Sequence, residues 1–347
     1  MKEKEEIQHK RDFLNHFVPG IKVMRKKKIL VTGGAGFIGS HIVDLFIKND
    51  YEVVVVDDLS SGKKEHLHRD VKFYQLSIEN MIELEKVFYL EKPDYVVHEA
   101  AQISVSLSVR KPIHDAKINI IGSLNLLQCC VKYLTKGVIF ASSGGTVYGE
   151  TASFPVHEDC ALMPLSPYGI GKVTVEYYLN FYRKTYHLDY VTLRYGNVYG
   201  PRQDPFGEAG VIAIFIQKML KGENPTINGD GNYIRDYVYV KDVAQANLLA
   251  LKNINEFPKK KTILNKQENE MLNAFNLGTG VGTSVNELFK LLKEMLPYSF
   301  VANHGPARPG DLRTNILDCQ RIHDVFSWVP KMELSKGLRE TINWFQK

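Results

Sequence analysis

The stretch 28–48 constrains this chain more than any other part of it. A short apolar run, 29–32, leads directly into Gly33, Gly34, Ala35, Gly36, Phe37, Ile38 and Gly39, and an apolar pattern of helical period continues to Lys48. Strand, tight turn and helix must therefore follow one another without a linker. Glycines spaced GxxGxxG suit such a unit. Gly33 makes the turn, Gly36 lets another group approach the backbone, and Gly39 lets the helix lie close on the strand. The turn leaves bare amides at the opening of a helix, where a diphosphate can sit.

The same rhythm continues along the chain. Apolar strands are expected at 29–32, 52–57, 95–98, 138–142 and 191–195, with amphipathic helices at 38–48, 81–90, 113–133 and 168–186 between them. Continuous apolar strands alternating with helices imply an α/β fold, a Rossmann-type doubly wound parallel sheet covered on both faces. After Gly200 the rhythm breaks. Pro201, Pro205 and Pro225 separate a helix-like 211–221 from a strand-like 236–240, which suggests a smaller mixed α/β substrate lobe. The expected division is a 1–27 extension, a 28–200 dinucleotide-binding domain, and 201–347 as mainly substrate lobe, interleaved with returns to the main sheet. The polar stretch 259–269 reads as a surface loop.

Composition excludes several classes. With 347 residues, 44% hydrophobic and 24% charged, the chain is ordinary globular protein, neither disordered nor fibrous. The net charge of +5 is scattered apart from Arg25 to Lys28 and Lys259 to Lys261, which read as solvated flanks; no nucleic-acid partner is expected. No run is long enough for a membrane span and the first 23 residues lack an apolar signal core, so a cytoplasmic, non-secreted protein is expected, with no membrane partner. Cys129, Cys130, Cys160 and Cys319 have neither metal-ligand nor disulfide-framework spacing, and no metal is expected. Cys129 and Cys130 follow the apolar pattern of a helix and read as packing residues.

Two further features carry chemistry. Asp57 ends the second expected strand, 18 residues after Gly39. A carboxylate there accepts from ribose hydroxyls and repels a 2′-phosphate, and Asp58 adds to the repulsion, so the cofactor implied is NAD rather than NADP. Tyr168 and Lys172 stand one helical turn apart, on one face of the helix. Bringing a phenol from a pKa of about 10 to near neutrality needs roughly 4 kcal/mol, for which the Lys172 ammonium and the positive helix end are candidate sources.

With TGGAGFIGSH, SSGGTVYG, SPYGIGK, LRYGNVYGPRQ, GDGNYIRDYVYVKDV and ARPGDLRTNILD in place, the chain from about Lys28 to its end resembles the extended short-chain dehydrogenase/reductases, in the group of bacterial UDP-glucose 4-epimerases and their UDP-N-acetylglucosamine relatives. The resemblance implies epimerisation at carbon 4 of a UDP-hexose through a 4-keto intermediate, with NAD retained, and a homodimer built on the helices around 116–133 and 168–186. It assigns Tyr168 and Lys172 to catalysis. The hydroxyl expected three residues before the valine of VYG is replaced by Gly144, so Ser143 is the first substitute and Thr146 the second. Gly33, Gly36, Phe37, Ile38, Gly39, Asp57, Ser77, Ile78, Ala101, Asn119, Tyr168 and Lys172 fall on the cofactor side, where Ser77 replaces the usual aspartate. Thr146, Asn197, Val211, Arg235, Arg308 and Asp311 fall on the substrate side, and Asn315 stands where a tyrosine excludes N-acetyl groups. Rival readings are a 4,6-dehydratase, against which Gly145 and Thr146 stand in place of its Asp and Glu, a UDP-glucuronate epimerase or decarboxylase, and an NAD-binding regulatory protein.

Overall fold

The computed structural model describes residues 25–151, 153–206, 210–255, 273–297, 299–307 and 312–347. The extension 1–24 and the expected loop 259–269 lie outside the described residues. In chain order the strands are β1 (Lys28–Thr32), β2 (Glu52–Asp57), β3 (Lys72–Gln75), β4 (Tyr95–His98), β5 (Gly137–Ser143), β6 (Asp189–Tyr195), β7 (Asn197–Tyr199), β8 (Thr226–Asn228), β9 (Ile234–Tyr239), β10 (Ala274–Leu277), β11 (Gly282–Ser284), β12 (Asn303–Gly305) and β13 (Thr314–Asn315). Seven of them form one sheet in the order β10-β6-β5-β4-β1-β2-β3, parallel at every pairing. The order reverses between β1 and β4, and the crevice beyond the strand ends at that point is where such sheets take ligands.

The strands are apolar throughout because both faces are covered. Val31, Val55, Val97 and Leu193 point into one core with the helices Phe37–Lys48 and Val240–Asn253. Leu30, Val56, Val96 and Phe140 point into the other, with Met81–Glu91, Ser123–Lys132 and Pro167–Tyr186. Cys129 and Cys130 are buried there, as their spacing suggested, and burial pushes the Cys129 thiol up to about 12. Among the described residues no helix is long and apolar enough to cross a membrane.

Three expectations need correction. The helix expected over 113–133 is broken into Pro112–Ala116, a π-helical turn Lys117–Gly122, and Ser123–Lys132. Such a turn adds a residue per turn and re-aims the side chains on either side of it. The strand expected at 236–240 is β9, and Val240 instead opens the helix Val240–Asn253. The signal for that helix was present in Val240, Val243, Ala244, Leu248 and Leu251. The edge strand β3 went unrecognised because its half-exposed residues give no apolar run.

The C-terminal part holds a mixed sheet in which β9 pairs parallel with β7 and β13 and antiparallel with β11, above a core of Ile212, Phe215, Leu288, Phe300 and Leu338.

Candidate active site

The turn after β1 is closed by main-chain bonds, Gly33 N to Val56 O at 2.8 Å and Gly36 N to Gly33 O at 3.1 Å. Gly33 has φ +68°, and a Cβ on it would lie 2.6 Å from the Ala100 nitrogen, so the turn abuts the end of β4 with no space for a side chain. The helix Phe37–Lys48 starts from Gly36 without a side-chain cap, which leaves its first amides to an outside acceptor. A cradle that any side chain would fill, at the positive end of a helix, fits a diphosphate.

The neighbouring residues of the expected cofactor set are distributed as follows. Phe37 stands edge-on to His41 and Ile38 packs on the core. Asp57 accepts from Ala35 N at 3.0 Å and from Leu59 N at 2.8 Å, so besides any ribose it braces the glycine turn. Burial raises its pKa while these amides pull it down. The Ser77 hydroxyl accepts from Glu79 N at 3.3 Å, and buried Ile78 packs where Gly122 has no side chain. Ala101 is half-buried after β4. Asn119 is fastened to the next residue, accepting from Gln102 N at 2.9 Å and donating to Gln102 O at 3.0 Å.

Tyr168 and Lys172 lie in the first turn and a half of the helix Pro167–Tyr186, which the Ser166 hydroxyl caps by accepting from Gly169 N. Lys172 is buried, donates to Ala141 O at 2.7 Å, and stands 5.0 Å from the Phe140 ring centroid and 5.6 Å from that of Tyr168. Burial lowers its pKa to about 8, opposed by the carboxylates of Glu99, Asp115 and Glu176. The Tyr168 phenol is raised above its ordinary range by burial and by Asp115, with Glu99 adding, while a hydrogen bond with Ser143 pulls it down. Burial and the carboxylates thus push the phenol away from neutrality, against the direction expected from Lys172, whose ammonium stands over the ring.

The departure at Gly144 has a steric cause. A Cβ there would lie 2.5 Å and 2.9 Å from the two methyl carbons of Leu317, which is wholly buried. A hydroxyl-bearing side chain there would require Leu317 to shift, and Ser143 at the end of β5 hydrogen-bonds Tyr168. On the substrate side, Thr146 Oγ1, Asn197 Nδ2 and Asn315 Oδ1 are buried without a protein partner. Such atoms cost about 1–3 kcal/mol each unless a ligand or water satisfies them. They sit on contiguous segments, since Asn315 pairs with Arg235 and Asn197 with Tyr237 along β9, and Asn315 Nδ2 donates to Gly144 O at 3.0 Å.

Arg235 donates to Ile234 O at 2.8 Å and lies 5.9 Å from the Tyr233 ring centroid. The adjacent Asp236 is fully buried and accepts from Thr279 N, Thr279 Oγ1 and Gly280 N. Val211 opens the helix Val211–Leu220 against the C-terminal core. Arg308 and Asp311 lie outside the described residues. Sequence reasoning missed Glu99 and Asp115. The first was legible as a charge closing an apolar strand, and the second as a carboxylate one helical turn before Asn119.

Residues 29–265 match the NAD dependent epimerase/dehydratase family. The chain is 39% identical over 323 residues to the UDP-glucose 4-epimerase of Mycolicibacterium smegmatis, covering 92% of this chain and 98% of that one. The solved UDP-glucose 4-epimerase of Thermotoga maritima with UDP-glucose superposes with a TM-score of 0.85 at 52% identity, over 92% of this chain and 98% of that one. The UDP-N-acetylglucosamine 4-epimerase of Methanobrevibacter ruminantium, solved with UDP-N-acetylmuramic acid, gives 0.83 at 38% identity, over 93% and 99%.

Proposed function

This chain belongs to the NAD dependent epimerase/dehydratase family, and from that premise we propose that it interconverts the carbon-4 epimers of a UDP-hexose. The observation that supports the reading is that Ser143, Tyr168 and Lys172 gather at the end of β5 in the same sheet whose β1/β4 switch point carries the glycine cradle. The chemistry supplied by bound NAD is reversible hydride uptake at carbon 4 of the sugar. The turn at Gly33 and Gly36 would hold its diphosphate, with Gly39 packing the helix on the strand, and Asp57 would hold its adenosine ribose.

Tyr168 takes the proton of the 4-hydroxyl, Ser143 orients that hydroxyl, and Lys172 keeps a positive charge beside the phenol. Arg235, Arg308, Asp311 and Asn197 grip the UDP moiety, since guanidinium forks suit phosphate oxygens. The hexose, tethered only by its diphosphate, turns as the 4-keto sugar and presents its other face. Thr146 and Asn315 line the sugar side. Asn315 is short enough to leave space for an N-acetyl group, so the substrate is the plain hexose or its N-acetylated counterpart.

The protein works as a cytoplasmic homodimer. Ile121, Ile170, Tyr177, Tyr178 and Phe181 are exposed apolar side chains on the two expected interface helices, which supports a partner copy there. The four cysteines are free thiols, as suits a reducing compartment.

The deciding experiment incubates purified protein, without added cofactor, with UDP-glucose and separately with UDP-N-acetylglucosamine, following carbon-4 epimers by proton NMR. Galacto products from either support the reading, and the faster substrate reports on Asn315. A dehydrated or persistent 4-keto product, or no product from either, overturns it.

A further inference from the structure

Asp115 is almost wholly buried in the helix Pro112–Ala116, against the helix that carries Tyr168 and Lys172. The two helices meet at Gly171, where a Cβ would stand 3.7 Å from Asp115 Oδ2 and 3.4 Å from Asn119 Cβ, in ordinary contact. Asp115 Oδ1 accepts from Gln102 Nε2 at 2.8 Å and from Asn119 Nδ2 at 2.9 Å. Gln102 in turn locks its own segment, donating to Ser104 O at 2.9 Å and accepting from Ser104 N at 2.6 Å. One carboxylate thus ties the segment after β4 to the π-helical turn, on a helix packed against the one that carries Tyr168. Burial raises the pKa of Asp115, while the N–H groups of Gln102 and Asn119, both donors, and the Lys172 ammonium favour the carboxylate.

We propose that Asp115 is a positioning residue for the Tyr168–Lys172 pair: its carboxylate fixes the 100–104 segment through Gln102 and Asn119 and, as a buried negative charge beside the pair, sets the pH range in which the two groups work. The proposal rests on the reading of Tyr168 and Lys172 as the proton-transfer pair. The other charged groups facing them are Glu99 at the end of β4, hydrogen-bonded to Tyr195 at 2.8 Å, and Glu176 one turn further along the same helix, paired with Arg194; His114 lies next to Asp115. Glu99 and Asp115 both favour the protonated forms of Tyr168 and Lys172, and only Asp115 also holds a segment of the site. Removing its charge therefore lowers the pKa of both groups, and both limbs of a pH profile must move the same way.

The test compares Asp115→Asn, which keeps an acceptor for Gln102 and Asn119, with Asp115→Ala, which does not. In Asp115→Asn both limbs of the kcat profile move to lower pH by about one unit, as expected for loss of one near charge, while KM and amide exchange at 100–104 stay at wild-type values. In Asp115→Ala the same shift comes with a raised KM and faster exchange at 100–104. The pH dependence of Lys172 acetylation by acetic anhydride, read by mass spectrometry, moves down in both variants, and this readout stands even if neither sugar nucleotide turns over. A wild-type protein inactive on both substrates would sink the epimerase reading, whereas an Asp115→Asn profile and acetylation curve superimposed on wild type, or a uniform fall in kcat with no shift, overturns the role of Asp115.

Discussion

At the scale of single residues, the site depends on small atoms in confined places. Tyr168→Phe removes the hydroxyl proposed to exchange a proton with the sugar while keeping the ring that Lys172 flanks. Loss of general acid–base catalysis costs about 10²–10⁴-fold in rate, so kcat should fall within that range while bound NAD, read by absorbance after denaturation, is retained. Gly144→Ser tests the steric argument. It places a hydroxyl at the position where the family resemblance leads one to expect it, yet its Cβ collides with Leu317. The variant should lose about 1–3 kcal/mol of stability, the usual cost of overpacking a core, measured by urea denaturation. A variant as stable as wild type with increased kcat would show that Ser143 is not the working hydroxyl.

At the scale of elements, buried polar clusters fix how strands and helices meet around the site. Arg194 in β6 and Glu176 in the Tyr168 helix are both wholly buried, with Nε to Oε1 at 3.1 Å and Nη2 to Oε2 at 2.6 Å. Ser142 and Tyr148 complete the cluster from β5 and the loop after it. Glu176→Gln leaves the guanidinium buried without its counter-charge and should cost about 3–5 kcal/mol, seen as a lower denaturation midpoint. Glu91, at the end of the helix Met81–Glu91, gathers β1 and β3 through Lys28, Lys72 and Tyr74. Burial works to raise its pKa, but the hydrogen bonds from Lys72, Tyr74 and Lys28 prevail and hold it at about 2. A carboxyl depressed in the folded state stabilises fully above its unfolded pKa and loses that contribution as pH falls. Stability should therefore drop between about pH 4.5 and pH 2, and in Glu91→Gln the stability–pH curve should be flatter across that window, read by thermal melts in a pH series.

At the scale of the whole molecule, the exposed apolar side chains of Ile121, Ile170, Tyr177 and Phe181 predict association of two copies. Phe181→Glu puts a charge among them, and sedimentation equilibrium should then report the monomer mass where wild type gives twice that value. Local order was legible in the sequence. The GxxGxxG turn, the strands from 29 to 195 other than the edge strand β3, Asp57 and the Tyr168–Lys172 spacing all follow from periodicity and turn chemistry acting over a few residues, which is why β1, β2 and β4 appear at or within one residue of their expected bounds. What spans long separations was not legible. That Gly144 is glycine because Leu317 lies against it, and that β10 adds to the edge of the sheet beside β6, are consequences of packing between segments far apart in the chain. The same holds for Asp115, Gln102 and Asn119, whose shared node arises where a π-helical turn meets the Tyr168 helix. Spacing determined which groups this protein can bring to a reaction; only tertiary packing, through burial and the charges it forces together, decided the protonation states in which they meet.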